Sequence, residues 1–144
     1  SWQQSADASG TVTLAPAGGA SEAGLAYGAI IDIEKQPGNG VTDASSLSAA
    51  TSALAQKLSQ QNGGLEQVGG VTATTVGGRP ANVVELRGKS PVAESGKQLV
   101  ERDRLLTVAR PDGDLSYVVF VCPEPDVDLL KSTFDAMSAS FRAQ

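Results

Sequence analysis

Four charges of alternating sign stand in a row at Glu101, Arg102, Asp103 and Arg104. On a strand, successive side chains point to opposite faces, so the two acids share one face and the two bases the other. Such a run serves either as a small anion-binding or docking patch, or as one side of cross-strand ion pairs. Glu85 and Arg87, on the strand before it, are the natural partners for pairing. Pairing is the plainer reading, and exposed pairs of this kind are worth roughly 0–1 kcal/mol each. These four residues are the candidate interaction patch.

The other groups with chemical potential are weaker candidates. Cys122 is the one thiol. A reactive thiolate needs a cation, a histidine or a helix N-terminus beside it. Glu124 and Asp126 follow closely and would raise its pKa instead, so a core thiol is expected. Glu124, Asp126 and Asp128 offer carboxylates, but without the glycine and distal glutamate of a calcium loop. At the start of a helix they complement its dipole. Asp112 and Asp114 read as turn residues. Gly69-Gly70 and Gly77-Gly78 lack the spacing of phosphate-binding loops and are not followed by a helix. Ser and Thr residues have no visible activating partner. The chain has no histidine, which removes histidine-based zinc sites and His-dependent triads. No catalytic, cofactor or metal residue is therefore assigned, and no enzyme activity is expected of this chain.

The net charge of −5 and pI near 4.6, with no Lys/Arg stripe, argue against a nucleic-acid partner. Trp2, Tyr27 and Tyr117 are too scattered for a base-stacking platform. No apolar run approaches the ~18 residues of a membrane span. A single cysteine forbids an internal disulfide. At 144 residues the chain has the size of one domain. It opens at Ser1-Trp2 without Met, as an excised domain would, and shows no signal peptide.

The elements that must position these residues centre on 98–123, which predicts two long strands joined at Pro111-Asp112-Gly113-Asp114. Asp-Gly between apolar runs is a hairpin signal. In the second arm, Leu115, Tyr117, Val119 and Val121 point one way, and Val118, Phe120 and Cys122 the other. A strand apolar on both sides belongs at the centre of a covered sheet. Earlier strands are expected over 11–15 and 25–33, paired antiparallel, and over 71–76 and 80–88. Trp2 is expected at the end of a strand. Residues 17–21, 36–41 and 89–97 read as loops, and 65–70 as a connector with room for a short extended piece at 65–68.

A helix is expected over 47–61, with Asp43, Ser45 and Ser46 as N-cap candidates and a stop at Asn62-Gly63-Gly64. Leu47, Ala50, Leu54 and Leu58 form its apolar stripe. A last helix over 126–141 carries Leu130, Phe134, Met137 and Phe141 on one face. The order strands, helix, strands, helix predicts an α+β fold, a single antiparallel sheet of about six strands sandwiched by helices. Any binding site is expected in the loops at 36–44 and 89–97 or on the charged strand.

Several pieces resemble a known family. They are the G-G-R-P-A turn at 77–81, the strand with E-R-D at 101–103, and D-G-D-L-x-Y-V-V-F-V at 112–121. The closing F-x-x-M-x-x-S-F-R at 134–142 adds to them. Together they are similar to the C-terminal accessory domain of acidobacterial zinc metalloproteases of the Ste24/HtpX type, and the layout is similar to the PsbP-like fold. The resemblance implies an exported or membrane-associated parent, with a zinc peptidase domain upstream. It also implies an extracytoplasmic (periplasmic or membrane-associated) location. That peptidase needs H-E-x-x-H, so none of its zinc or catalytic residues carries over. Three readings follow: a non-catalytic accessory domain that binds or positions substrate or partner beside that peptidase, a free-standing PsbP-like protein-interaction module, or a small Ser- or Cys-based hydrolase.

Overall fold

The computed structural model describes residues 1–61 and 63–143. A seven-stranded antiparallel sheet runs through the whole chain. Its strands are β1 (Trp2–Ala6), β2 (Val12–Pro16), β5 (Gly28–Glu34), β6 (Glu66–Val76), β7 (Arg79–Glu94), β8 (Lys97–Ala109) and β9 (Leu115–Pro123). Their spatial order is β1-β2-β5-β9-β8-β7-β6. A small separate hairpin is made by β3 (Ala20–Ser21) and β4 (Gly24–Leu25). Two helices, α1 (Ala44–Gln61) and α2 (Val127–Ser140), complete the fold, with a 3-10 turn at Glu124–Asp126 leading into α2. None of the described helices is long and apolar enough to cross a membrane.

β9 sits between β5 and β8, at the centre of the sheet, and is buried along most of its length. Its two apolar faces feed two cores. On one, Val118, Phe120 and Cys122 join Ala29, Leu106 and Val108 beneath Phe134 of α2. The Phe120 and Phe134 rings lie 4.9 Å apart between centroids, within the range of favourable ring contacts. On the other, Val119 and Val121 join Val84, Leu86 and Leu105 against Leu54 and Ala55 of α1. A sheet covered on both faces needs strands that are apolar on both sides, and this is why β9 breaks the usual alternation. The β8–β9 turn carries Gly113 at φ +89, the left-handed conformation for which the Asp-Gly pair is suited.

The sheet has one strand more than expected because Trp2–Ala6 pairs fully with β2. Trp2 begins that strand and packs on the α2-side core. The β2–β5 pairing is antiparallel as expected. Three connections differ. The stretch 89–97 is not a loop: β7 runs on to Glu94, β8 starts at Lys97, and Ala93↔Gln98 and Glu94↔Lys97 face each other in a ribbon. In the connector at 65–70 the extended piece is real and longer than expected: residues 66–70 form the first half of β6, with a bulge between Val68 and Thr72. The supposed loop at 17–21 includes half of the β3–β4 hairpin.

Helix α1 starts at Ala44, preceded by a reciprocal cap. The Ser46 backbone N–H donates to Asp43 Oδ1 at 2.7 Å, and the Asp43 N–H donates to Ser46 Oγ at 3.0 Å. Of the expected helix stop, Asn62 lies outside the described residues. α2 begins one residue later than expected, and its stripe of Leu130, Phe134, Met137 and Phe141 packs on the sheet.

Candidate functional site

β8 passes through the middle of the sheet, so the alternation at 101–104 divides the four charges between two covered faces. Arg102 and Arg104 emerge on the α2 side. Arg104 Nε reaches Glu85, its partner in register, at 3.0 Å, and Arg104 Nη1 reaches Asp135 of α2 at 2.7 Å. Arg102 stands opposite Arg87, and two like charges in register would repel. Glu124 resolves this by accepting from both, at 2.6 Å from Arg87 and 3.4 Å from Arg102. The Arg87 hydrogen bond holds the Glu124 carboxyl below its ordinary range. The basic half of the run thus pins the sheet to the last helix and the turn before it. Ion pairing with Glu85 is as expected, whereas Glu124 and Asp135 are partners that sequence spacing could not point to.

The acidic half overturns the expectation of exposed cross-strand pairs. Glu101 and Asp103 emerge on the α1 side, only 6% and 4% exposed, and form no ion pair among the described residues. Glu101 Oε2 and Asp103 Oδ1 are buried without a hydrogen-bond partner. Burial is the chief cause that pushes the Asp103 carboxyl up to about 9, followed by its hydrogen bond with Glu101 and the nearby charges of Glu101 and Glu85. Burial also raises Glu101, moderated by hydrogen bonds to Asp103 and Ser90. Two carboxyls in contact, out of water, hold one proton between them, because a second negative charge there is too costly.

The pair borders a recess of about 370 Å³. Its floor is the sheet, through Ile30, Tyr117, Val119 and Val121; Leu58 of α1 stands at one side. The roof is the β3–β4 hairpin with Pro91 of β7. Gly24 makes the roof close, since a Cβ there would meet the Pro91 ring at 2.9 Å. Burial pushes the Tyr117 phenol up to about 12, helped by Asp32 and Glu34. Of the parts that carry this roof, the β7 extension and Ala20–Ser21 of the hairpin fall in expected loops, whereas Leu25 is expected in the strand over 25–33 and belongs instead to β4, with β5 starting only at Gly28. Loops were the expected place for a site, and 89–97 does contribute Pro91, although as strand. The loop at 36–44 contributes nothing to the recess. It caps α1 and docks on the β8–β9 turn through Val41 N–H to Gly113 O at 2.7 Å.

The remaining candidates are occupied structurally. Cys122 is 3% exposed, and burial, with Asp103 and Asp126 nearby, pushes its thiol up to about 11. Asp126 accepts a short hydrogen bond from the Tyr27 hydroxyl. Glu124 is engaged by the two arginines, and Asp112 accepts from the Asp114 N–H inside the turn at 3.0 Å. A wider groove of about 680 Å³ lies between β6 and α2, but its ionic groups, Glu85, Arg104 and Asp135, are already paired with one another.

No family model and no curated protein matches the chain. Among solved structures it is similar to the solution structure of cyanobacterial PsbP (CyanoP) from Synechocystis sp. PCC 6803. The likeness covers 100% of this chain and 93% of that one, with a TM-score of 0.61 and 17% sequence identity. It shows that the fold is PsbP-like.

Proposed function

We propose that this PsbP-like chain is a non-catalytic protein-interaction module that docks a partner through a sheet edge. The observation that carries the proposal is β6. It is the last strand of the sheet, eleven residues long, exposed along most of its length, and, among the described residues, paired only on its β7 side. An unpaired edge offers a row of backbone donors and acceptors to an added strand. The Gly69-Gly70 bulge interrupts that edge, leaving 72–76 as its regular part. The inert setting of Cys122 supports the absence of turnover. The test is photo-crosslinking from position 75 in native extract. A defined partner, lost when Ala73 and Thr74 are replaced by lysine, supports the reading. Turnover of an ester, peptide or phosphoester by the purified chain overturns it.

The finer placement, an accessory domain of an exported zinc metallopeptidase, rests on the sequence resemblance alone. The DNA upstream of the Ser1 codon tests it. An H-E-x-x-H motif in frame supports it, and a reading frame without one removes it. The same stretch of DNA tests the extracytoplasmic location through the presence of an export signal.

A further inference from the structure

We propose that the recess beneath the β3–β4 hairpin binds an aliphatic primary ammonium ion, its head group lodged against Glu101 and Asp103. The site stands apart from the β6 edge and does not depend on it.

The argument starts from an imbalance. A buried polar group without a partner is costly, and native proteins rarely leave one unexplained. Here two such atoms, Glu101 Oε2 and Asp103 Oδ1, belong to neighbouring carboxyls on the border of one recess. Among the described residues that line the recess, none carries a charge that answers theirs. β8 supplies only the two acids, β9 supplies Tyr117, β5 supplies Ile30, and α1 supplies Leu58. The hairpin supplies Ala23, Gly24 and Leu25, and β7 supplies Pro91. Ser90 gives one hydroxyl to Glu101, and Glu85 adds a further negative charge acting on Asp103. The missing complement is therefore a cation from outside.

The walls select which cation. A hard divalent ion asks for six or more oxygens, and the wall offers two carboxyls and a phenol among aliphatic side chains. An ammonium group carries three donors, which suits the unpartnered acceptors. Leu25, Ile30, Leu58, Val119 and Val121 would bury its hydrocarbon tail, and the volume of about 370 Å³ falls within the range of small-ligand sites. The proton balance is explicit. The acid pair holds one proton at neutral pH, the ammonium ion enters with all of its own, and the shared proton leaves to solvent. The charge of the site stays at one negative, the ammonium ion taking the place of the proton, with both carboxylates ionised around one cation.

The experiment is calorimetry and methyl NMR on the full chain with n-hexylamine at pH 7, against 1-hexanol and MnCl₂. Nα-acetyl-lysine methylamide supplies the second source of the same chemistry, a lysine side chain from a protein partner. The expected result is hexylamine or capped-lysine binding with proton release, seen as a dependence on buffer ionisation enthalpy. Leu58 and Val119 methyl shifts should move, and hexanol should bind roughly tenfold more weakly or worse. Tighter binding of hexylamine assigns a free amine, and tighter binding of the capped lysine assigns a partner's side chain; both support the site. Asp103→Asn keeps the shape and removes the charge, and should weaken amine binding roughly tenfold. A thermal melt confirms that it folds, and Glu101→Gln provides a second variant. Equal binding of hexylamine and hexanol, unchanged binding by folded Asp103→Asn, Mn²⁺ binding without amine binding, or no binding of either amine overturns the proposal.

Discussion

Replacing Asp103 with Asn should make the ligand-free protein more stable at neutral pH. In the folded state Asp103 is pushed up to about 9, whereas its ordinary value is 3.8. A carboxyl whose pKa rises on folding gives its full stability below the unfolded pKa. That stability drains away as pH climbs toward the folded pKa, because the unfolded chain sheds a proton that the native state must keep. Each pH unit in this window costs up to about 1.4 kcal/mol. By pH 7 the wild-type chain has therefore forfeited about 2–4 kcal/mol relative to pH 4, with Glu101 drawing on the same proton. Asparagine keeps the donor toward Glu101 and has no proton to lose, so Asp103→Asn should recover roughly 1–3 kcal/mol at pH 7.

For a chain of this size, that gain is a melting temperature higher by about 2–10 °C. Urea melts at one-unit intervals from pH 4 to 8 measure it. The wild-type curve should fall across that range, and the variant's curve should be flatter. Asp114 and Asp135 do not confuse the result. Their carboxyls are lowered, by the Gln36 N–H and by Lys131 respectively, so their contribution is lost only on the acid side of pH 4. A variant less stable than wild type at pH 7, or parallel slopes for both proteins, would refute the shared-proton account.

Three further outcomes follow from the same geometry. Thr51 of α1 shares a 2.7 Å hydrogen bond with Thr107 of β8, both hydroxyls fully buried. Thr51→Val should cost about 1–3 kcal/mol by stranding Thr107, and Thr51→Val with Thr107→Val should cost less than the sum of the single changes, read by a double-mutant melt cycle. Arg104→Met removes the link between Glu85 and Asp135. It should cost about 1–2 kcal/mol in urea melts, most of it insensitive to 0.5 M salt because Arg104 is largely covered. Cys122 should resist iodoacetamide at pH 7 in the folded state and react promptly in urea, as mass spectrometry would record.

Much of the architecture is written in periodicity. The Asp112-Gly113 turn, the doubly apolar β9 and the stripe from Leu130 to Phe141 all describe what a chain does when it must bury apolar surface. The misread stretches are those where burial exerts no such demand. In 89–94 the β7–β8 ribbon extends beyond much of the core, so its polar sequence carries no alternation to read. At Gly69-Gly70, glycines that suggest a connector form a bulge instead. The candidate site failed for a related reason. Alternation at 101–104 tells which charges share a face, but not whether that face is covered. The cover comes from the β3–β4 hairpin and from Leu58, which lie far away in sequence. Thr51 shows the same limit: among Ser, Thr and Gln on α1, only the tertiary position of Thr107 marks it as buried.

The shared proton is the feature on which the account of the Glu101–Asp103 recess turns, and ¹³C NMR titration of the two side-chain carboxyl carbons observes it directly. One of the two should remain protonated above pH 7, and its midpoint should fall when hexylamine fills the recess. Two carboxyls that both ionise below pH 5, with no response to the amine, would contradict the account.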